Sequence, residues 1–286
     1  MGPMTTDFDH AAEVVRRFDR DRYLSALLAP EAYRPALMAL YAFNAEIARI
    51  REVVSEPLPG EVRLQWWRDL LEGTEHGAAA ANPVANALLR TIERYNLPRQ
   101  ALVAMTEARI FDLYNDPMPS LNDLEGYVGE TVSGLFQLGC LVLNDGKDPG
   151  TATVAGHAGV AYGLCGLMRA LPWHAARRQM YLPGDVLSRH NLDPETVFRG
   201  KTTPELLAVL TEMRGHARHH LGRVREAASG VPLTCRAAFL PLVLVEPFLK
   251  KLEVTGFDPL QQAAEISQLR RQWILWRASG NVFGRL

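Results

Sequence analysis

The sequence predicts an all-α fold built as a single domain, 1–286. Apolar residues recur at helical spacing along most of the chain, whereas hairpin signals between alternating segments are missing. No repeat, low-complexity tract or long linker divides the chain. With 48% hydrophobic and 22% charged residues among 286, the chain can bury a large core and has the composition of a globular protein.

Helix-breaking residues bound the predicted helices. Pro30 ends the first helix, Pro57 ends the second and Gly73 ends the third. Pro98 separates the next two helices, and Ser120 is placed to cap the sixth. A loop over 172–200 carries a short helix near 183–190. The ten main predicted helices cover 8–28, 31–54, 60–73, 83–96, 99–115, 121–143, 151–171, 203–229, 232–252 and 258–278.

Charge and cysteine content exclude several classes of protein. The formal net charge is −1, from 31 basic and 32 acidic residues, which gives no support to nucleic-acid binding. Three widely spaced cysteines in apolar surroundings predict neither a disulfide framework nor a zinc site. The N-terminus lacks the apolar core of a signal peptide, so we expect a cytoplasmic protein. Residues 1–7 are expected to be flexible, and Gly2-Pro3 is consistent with a cloning scar over 1–3.

Membrane contact is predicted at most to be peripheral, at the inner face of the membrane. The apolar stretches Leu135–Leu143 and Phe239–Leu249 are shorter than the roughly 20 residues that a spanning helix needs. The C-terminal apolar segments Phe239–Leu249 and Trp273–Trp276 lie near arginines and could rest on anionic lipid. Core packing is the alternative for the same segments. The arginines concerned are Arg270, Arg271 and Arg277.

Two groups of residues invite a metal-site hypothesis. His216, His219 and His220 have helical spacing, but interleaved arginines oppose a cation, so a solvated face is the favoured interpretation. Asp112 and Asp116 form the one Asp-x-x-x-Asp pair, which could share Mg²⁺ on a helix face. Because Asp116 precedes a proline, a capping or loop role is favoured there.

One predicted helix carries a face of small residues. Gly156, Gly159, Gly163, Gly166 and Ala170 share that face. Such a face either permits a close helix crossing or leaves room for a ligand, and close packing is the commoner use. The glycines follow no strand, so a dinucleotide-binding loop is not predicted.

Four segments, in order along the chain, resemble the squalene/phytoene synthase family. Ala39-Leu-Tyr-Ala-Phe43 is similar to the approach to the family's first aspartate-rich motif, and Gly129-Glu-Thr-Val-Ser133 to a central family segment. Asp112-Leu113 and residues 124–127 are similar to the family's helix between these two segments. Arg169 with Arg178-Gln-Met-Tyr-Leu-Pro183 is similar to the segment around the second motif. The resemblance covers about residues 10–250 and implies an isoprenoid-synthase-type helical bundle with a central cavity.

The resemblance also implies that this chain has lost the family's metal ligands. Active members hold Mg²⁺ between two Asp-x-x-x-Asp motifs and use it to remove the diphosphate of a prenyl substrate. The matching positions here are Ala48 and Glu52 in the first motif and Ala170 and His174 in the second. One carboxylate of four, with Arg49 beside it, cannot build that site. We therefore expect no catalytic residue, no metal and no cofactor.

The substitutions resemble those of a divergent branch of the family, the phytoene synthase-like assembly factor of respiratory complex I and its bacterial relatives. This implies a non-catalytic protein whose partners are complex I subunits, or whose cavity takes an isoprenoid or lipid-like ligand. The same charges could instead pair with one another and close the bundle. The candidate ligand- or partner-binding residues are Asn44, Glu46, Glu56, Arg63, Gln65, Trp66, Arg169, Arg177, Arg178 and Tyr181.

The alternative function is an active prenyltransferase that condenses isoprenoid diphosphates at an altered metal site. In that case Glu52 and Asp112 or Asp116 would hold one Mg²⁺. The diphosphate would be bound by Arg169, Arg177 and Arg178.

Overall fold

The structure, a computed structural model, describes residues 6–74 and 81–286 and confirms the all-α prediction, since these two stretches contain no strand. Residues 1–5, with the suspected cloning scar and most of the predicted flexible tail, lie outside them. Thr6 and Asp7 form the capped start of the first helix, with Thr6 accepting a hydrogen bond from the Asp9 amide.

The α-helices are α1 (Asp7–Phe18), α2 (Arg20–Leu27), α3 (Arg34–Ala48), α4 (Ile50–Val53), α5 (Pro57–Glu72), α6 (Pro83–Tyr95), α7 (Arg99–Ala108), α8 (Leu121–Val128), α9 (Gly134–Leu143), α10 (Ala152–Arg169), α11 (Leu171–Ala176), α12 (Gly184–Arg189), α13 (Pro194–Phe198), α14 (Pro204–Ala227), α15 (Val245–Leu252) and α16 (Gln268–Ala278).

Several predicted helices are split into shorter ones. The predicted helix 8–28 breaks at Asp19, whose backbone leaves the helical region and whose carboxylate caps α2 by accepting from the Arg22 amide at 3.1 Å. The predicted helix 121–143 contains a π-helical turn, Gly129–Ser133, between α8 and α9. The predicted loop 172–200 holds α11, α12 and α13. The predicted helix 99–115 ends in a 3₁₀ turn, Arg109–Leu113.

Two C-terminal predictions were wrong in type or length. Residues 232–252 are not one α-helix, because Leu233–Leu244 is a 3₁₀ helix that contains Pro241, and only α15 is α-helical. Proline has no amide hydrogen to donate, so the α-helical hydrogen-bond ladder cannot form through it. The last helix begins at Gln268 instead of residue 258. The Asp258 side chain accepts hydrogen bonds from the backbone amide of Leu260 and from the Thr202 hydroxyl, and these bonds compete with a helical start at residue 258.

The run from α8 through the π turn to α9 occupies the middle of the fold. By length and composition Leu121–Leu143 is a helix that could cross a membrane, with a mean hydropathy of 1.2. However, 56% of that apolar window is buried inside the fold. The run packs against α10, whose other side packs against α14. The pattern is that of a central core helix.

The crossing of α10 over the π turn is very close, and Gly159 makes it possible. A Cβ atom at Gly159 would lie 2.3 Å from the backbone nitrogen of Ser133. The Ser133 hydroxyl donates to the Gly156 carbonyl at 2.9 Å across the same contact. The packing interpretation of the small-residue face is therefore confirmed at this position.

We expect Gly159→Ala to lower the free energy of unfolding by roughly 1–3 kcal/mol, because the obstacle is backbone and cannot rotate away. The measurement is urea unfolding followed by circular dichroism. Gly156→Ala on the same helix is the matched control, since a Cβ atom there meets nothing within 4 Å. The control should be neutral or gain up to about 1 kcal/mol from helix propensity. Equal losses in both variants would contradict the close crossing.

Candidate functional site

A cavity of about 150 Å³ lies between α3, α8, the π turn and α10. Its walls are mostly apolar, and Gly166 borders it where an added Cβ would meet no atom within 4 Å. The small-residue face of α10 thus serves close packing at Gly159 and leaves open space at Gly166. The polar groups that reach this cavity belong to Arg22, Asn44, Arg109, Tyr127, Thr131 and Tyr162.

A buried carboxylate, Asp112, organises one side of the cavity. Its Oδ1 accepts from the hydroxyls of Tyr181 at 2.6 Å and Tyr127 at 2.7 Å, and its Oδ2 accepts from Arg109 at 3.1 Å. Arg109 also donates to the Tyr127 hydroxyl at 2.7 Å, and Gln179 donates to the Asp112 carbonyl. Asp112 is 6% exposed. Both of its carboxylate oxygens accept hydrogen bonds, and a metal ion would have to displace the Arg109 guanidinium to reach Oδ2.

The facing wall carries a second buried guanidinium, that of Arg22. Arg22 pairs with Asp19 at 2.7 Å and lies over the Tyr162 ring at 4.7 Å. Beside the cavity, Asn44 is buried, and its Oδ1 has no hydrogen-bond partner among the described residues. The cavity therefore presents two guanidinium groups, one amide and three hydroxyls, where a metal site would present carboxylates.

A second ion-pair network joins α2, α10 and α16 and lines a separate surface pocket next to the cavity, which shares Tyr162 and Gly166 with it. Arg169 contacts Asp21 at 3.2 Å and Glu265 at 2.8 Å. Arg271 contacts the same two carboxylates at 2.8 and 2.7 Å. Burial raises the pKa of Asp21, and the two arginines oppose that shift. Arg169, a predicted ligand-binding residue, is thus held by internal ion pairs, as the alternative interpretation of these charges expects.

A break in the helix separates the two positions that match the first aspartate-rich motif. Ala48 is the last residue of α3, and Glu52 lies in the next helix, α4. Glu52 is exposed and accepts from Arg49 at 3.1 Å. Arg49 also packs on the Phe18 ring at 3.4 Å. The one carboxylate retained at the four motif positions is therefore paired with a neighbouring arginine.

The second pair is interrupted in the same way. Ala170 lies between α10 and α11, and His174 lies in α11. Pro172 explains the break, because its ring would clash with a carbonyl of the preceding turn. His174 packs on Tyr181, with ring centroids 4.5 Å apart. The pKa of His174 is lowered to about 4, chiefly by burial; Asp112 opposes the shift, and Arg177 adds to it.

Because the folded-state pKa of His174 lies below its ordinary value of 6.5, the unfolded chain binds more protons between about pH 6.5 and 4. We expect the free energy of unfolding to fall as the pH is lowered through this window, by up to about 3 kcal/mol from this group. His174→Phe should reduce this acid-side loss, measured by urea unfolding at a series of pH values. The exposed His10 on α1 supplies the control, His10→Phe, which should leave the slope as it is. An unchanged slope in His174→Phe would refute the assignment.

A separate surface groove of about 490 Å³ gathers three of the predicted binding residues, Glu46, Arg63 and Trp66. Trp66 packs edge-on against Trp67, with centroids 5.0 Å apart. Burial raises the pKa of Glu46, while a hydrogen bond from Asn82 opposes the shift. We call this the α3–α5 groove. Its other lining residues are Arg49, Ile50, Val53, Trp67 and Asn82.

The remaining predicted site residues lie apart from both the cavity and the groove. Glu56 is exposed and precedes α5, and Gln65 donates to Asp69 at 2.6 Å. Arg177 is exposed. Arg178 forms a hydrogen-bonded ion pair with Glu195 and lies over Phe198. The structure therefore does not bring all of the candidate residues into one site.

The histidines of α14 do not form one solvated face. His220 is 8% exposed, and its Nδ1 lies 3.0 Å from Nδ1 of His157. Its Nε2 lies 3.3 Å from Glu125. The solvated-face prediction was therefore wrong for His220, because its side of α14 packs against α10.

Sequence reasoning missed most residues of the two buried networks. Arg109 precedes Asp112 by three residues, a helical ion-pair spacing that could have signalled the first network. Arg22 and Asp19 have the same spacing and offered the same signal. Asp21, Arg169 and Arg271 come together only through the tertiary fold, and no local pattern marks them.

The donor set does not fit the magnesium site that the family implies. The carboxylates beside the cavity, the half-buried Asp19 and the buried Asp21 and Asp112, are each engaged by arginine. Within residues 6–74 and 81–286, no three His, Cys, Asp or Glu side chains come together so as to hold a metal ion. Mg²⁺ prefers several free oxygen ligands, and this set of side chains does not supply them.

The helical bundle with its central cavity places the chain in the class of isoprenoid-synthase-type folds. A sequence model of the squalene/phytoene synthase family matches residues 15–276, and the chain belongs to this family.

Relatives of two kinds are similar to the chain. Human NADH dehydrogenase (ubiquinone) complex I, assembly factor 6, is 32% identical over 258 residues, which cover 90% of this chain and 77% of that protein. The phytoene synthase of Thermus thermophilus is 26% identical, over 96% of this chain and 93% of the synthase.

Solved structures show the same fold. A dehydrosqualene synthase in complex with a ligand matches with a TM-score of 0.81 at 16% identity, covering 97% of both chains. Squalene synthase HpnC from Alicyclobacillus acidocaldarius matches with a TM-score of 0.75 at 19% identity, covering 88% of this chain and 95% of its own.

Proposed function

We propose that this protein is a non-catalytic member of its family that assists the assembly of respiratory complex I, and that it works in the cytoplasm. The observation that carries the proposal is the pairing of the carboxylates around the cavity with Arg22, Arg109, Arg169 and Arg271. The similarity to complex I assembly factor 6 supports the role in assembly.

The physical reason is competition for the same oxygens. Ionising an allylic diphosphate requires neutralisation of charge on the leaving group, and Mg²⁺ held by carboxylates supplies it in the family. Here a metal would have to displace buried guanidiniums, and each displaced charge would be left without a partner at a cost of several kcal/mol. The two networks therefore stabilise the bundle and oppose metal binding.

We assign the α3–α5 groove on the protein surface to the binding of a partner protein. It combines the Trp66 and Trp67 rings with the exposed Arg63, the residue types that dominate protein interfaces. The central cavity, with apolar walls and the donors of Arg22 and Arg109, suits an apolar ligand with an acceptor oxygen, such as an isoprenoid or another lipid-like molecule.

The alternative, an active prenyltransferase with an altered metal site, draws on the phytoene synthase relatives and on the exposed carboxylate of Glu52. It predicts that Glu52 is indispensable, whereas the assembly function requires no carboxylate at that position.

The test is removal of the gene in the source organism and measurement of assembled complex I on native gels. We expect assembled complex I to fall, and the wild-type chain and Glu52→Gln to restore it equally. Arg63→Glu in the α3–α5 groove should restore less, and Gln65→Ala on the same helix is its control. An unchanged amount of assembled complex I in the deletion strain would contradict the proposal. So would a result in which the wild-type chain restores complex I and Glu52→Gln does not.

A further inference from the structure

The outer face of the last α-helix, α16, is unusually apolar. Leu269, Trp273 and Trp276 are spaced by four and three residues and therefore form one stripe along the helix. They are 79%, 54% and 66% exposed. The opposite side of α16 is anchored, since Leu275 is buried and Arg271 is held by Asp21 and Glu265. The stripe is thus fixed on a rigid element and points away from the fold.

Positive charge surrounds this stripe. Residues 266–286 contain four arginines and no acidic residue. Arg271 is used internally, but Arg270 and Arg277 are exposed beside the stripe, and Arg277 lies 4.5 Å from the Trp273 ring. An exposed surface that joins tryptophan to arginine without acidic neighbours on the same segment complements a negatively charged apolar boundary.

A groove of about 320 Å³ opens next to Trp273, between α14, α15, α16 and the end of the chain. Apolar side chains line much of the groove, and cationic groups of Lys250, Arg277 and Arg285 also line it. The one acidic lining residue, Glu246, is neutralised by Arg218 at 3.0 Å and lies 3.7 Å from Lys250. The apolar lining residues are Leu221, Leu242, Val243, Pro247, Trp273, Ile274 and Leu286.

We propose that the stripe on α16 and the groove beside it form a docking surface for a bilayer that contains anionic phospholipids. The tryptophan rings enter the interface, where an apolar body and a polar N–H are both accommodated. Arg270 and Arg277 contact lipid phosphates, and the groove accepts part of one lipid, with its phosphate near Lys250 and Arg285. This surface function goes beyond the assembly role and does not require it.

A lipid surface fits better than a protein partner. A stable protein interface buries roughly 800 Å² on each side, whereas the stripe consists of three side chains on an 11-residue helix. A bilayer needs only shallow insertion, to which several aromatic and basic side chains contribute additively.

The experiment is co-sedimentation of the full chain with vesicles of phosphatidylcholine alone or mixed with phosphatidylglycerol. We expect binding to the anionic vesicles that weakens with salt. Trp273→Ala/Trp276→Ala should lower the partition coefficient about tenfold or more. Arg270→Gln/Arg277→Gln should lower it about fivefold for each arginine and only on anionic vesicles. Leu58→Ala/Val62→Ala, which removes exposed apolar side chains from α5, is the matched control and should bind like wild type.

Circular dichroism establishes that each variant is folded, and the arginine variant tests the surface even if the tryptophan variant is unstable. Absence of binding to anionic vesicles at low salt would overturn the proposal. So would wild-type binding by both α16 variants. Concentration-dependent self-association that the tryptophan variant abolishes, without vesicle binding, would assign the stripe to a second copy of the chain instead.

Discussion

Asp112→Ala is expected to lower the free energy of unfolding by about 3–5 kcal/mol, the cost of leaving a buried guanidinium without its counter-charge. Arg109, whose side chain is only 14% exposed, would lose its ion pair, and the hydroxyls of Tyr127 and Tyr181 would lose their shared acceptor. Burial, which remains in the variant, is the largest cause of the raised pKa of both tyrosines, so neither hydroxyl supplies a negative charge to Arg109. Urea unfolding measures the loss directly.

The matched control for Asp112 lies four residues away. Asp116 is exposed in the loop that follows, so Asp116→Ala should change the stability by less than about 0.5 kcal/mol. If the two residues shared a bound cation, their variants would show comparable losses in the presence of Mg²⁺. Comparable losses would therefore contradict the structural role assigned to Asp112.

Asp21→Ala carries the second large effect, a loss of about 3 kcal/mol. Asp21 joins α2 to α10 and α16 by contacting both Arg169 and Arg271, and its side chain is only 8% exposed. Removing it leaves two guanidiniums with the partly exposed Glu265 as their remaining counter-charge. Because the network spans three helices, the loss should also appear as a lower midpoint of thermal unfolding.

Glu265 supplies the comparison, since it contacts the same two arginines but is 54% exposed. Solvent screens an exposed ion pair, so Glu265→Ala should cost less than about 1 kcal/mol. A larger loss in Glu265→Ala than in Asp21→Ala would show that the exposed carboxylate, and not the buried one, holds α16 in place.

The periodicity of apolar residues was sufficient to predict the helical fold, because helical spacing and proline positions are local properties of the chain. Interruptions inside a helical pattern were harder to predict. Asp19 ends α1 through its own backbone conformation and caps α2, although no proline or glycine marks the position. Residues 258–267 look helical in pattern, but the contacts of Asp258 with Thr202 and with its own backbone override the pattern.

The site was predictable only in part, for a related reason. The resemblance to the family located the four motif positions, and the structure shows that breaks after Ala48 and at Ala170 accompany the lost carboxylates. It did not reveal which charges replace them, because Asp21, Arg169 and Arg271 meet from distant parts of the chain. Long-range ion pairs leave no periodic signal in a single sequence.

Release of inorganic diphosphate from farnesyl or geranylgeranyl diphosphate by the purified chain with Mg²⁺ tests the central claim most directly. With the cavity carboxylates engaged by arginine, we predict no release above that of buffer at any Mg²⁺ concentration. Mg²⁺-dependent release that Glu52→Gln abolishes would contradict the claim and assign the protein to the catalytic members of its family.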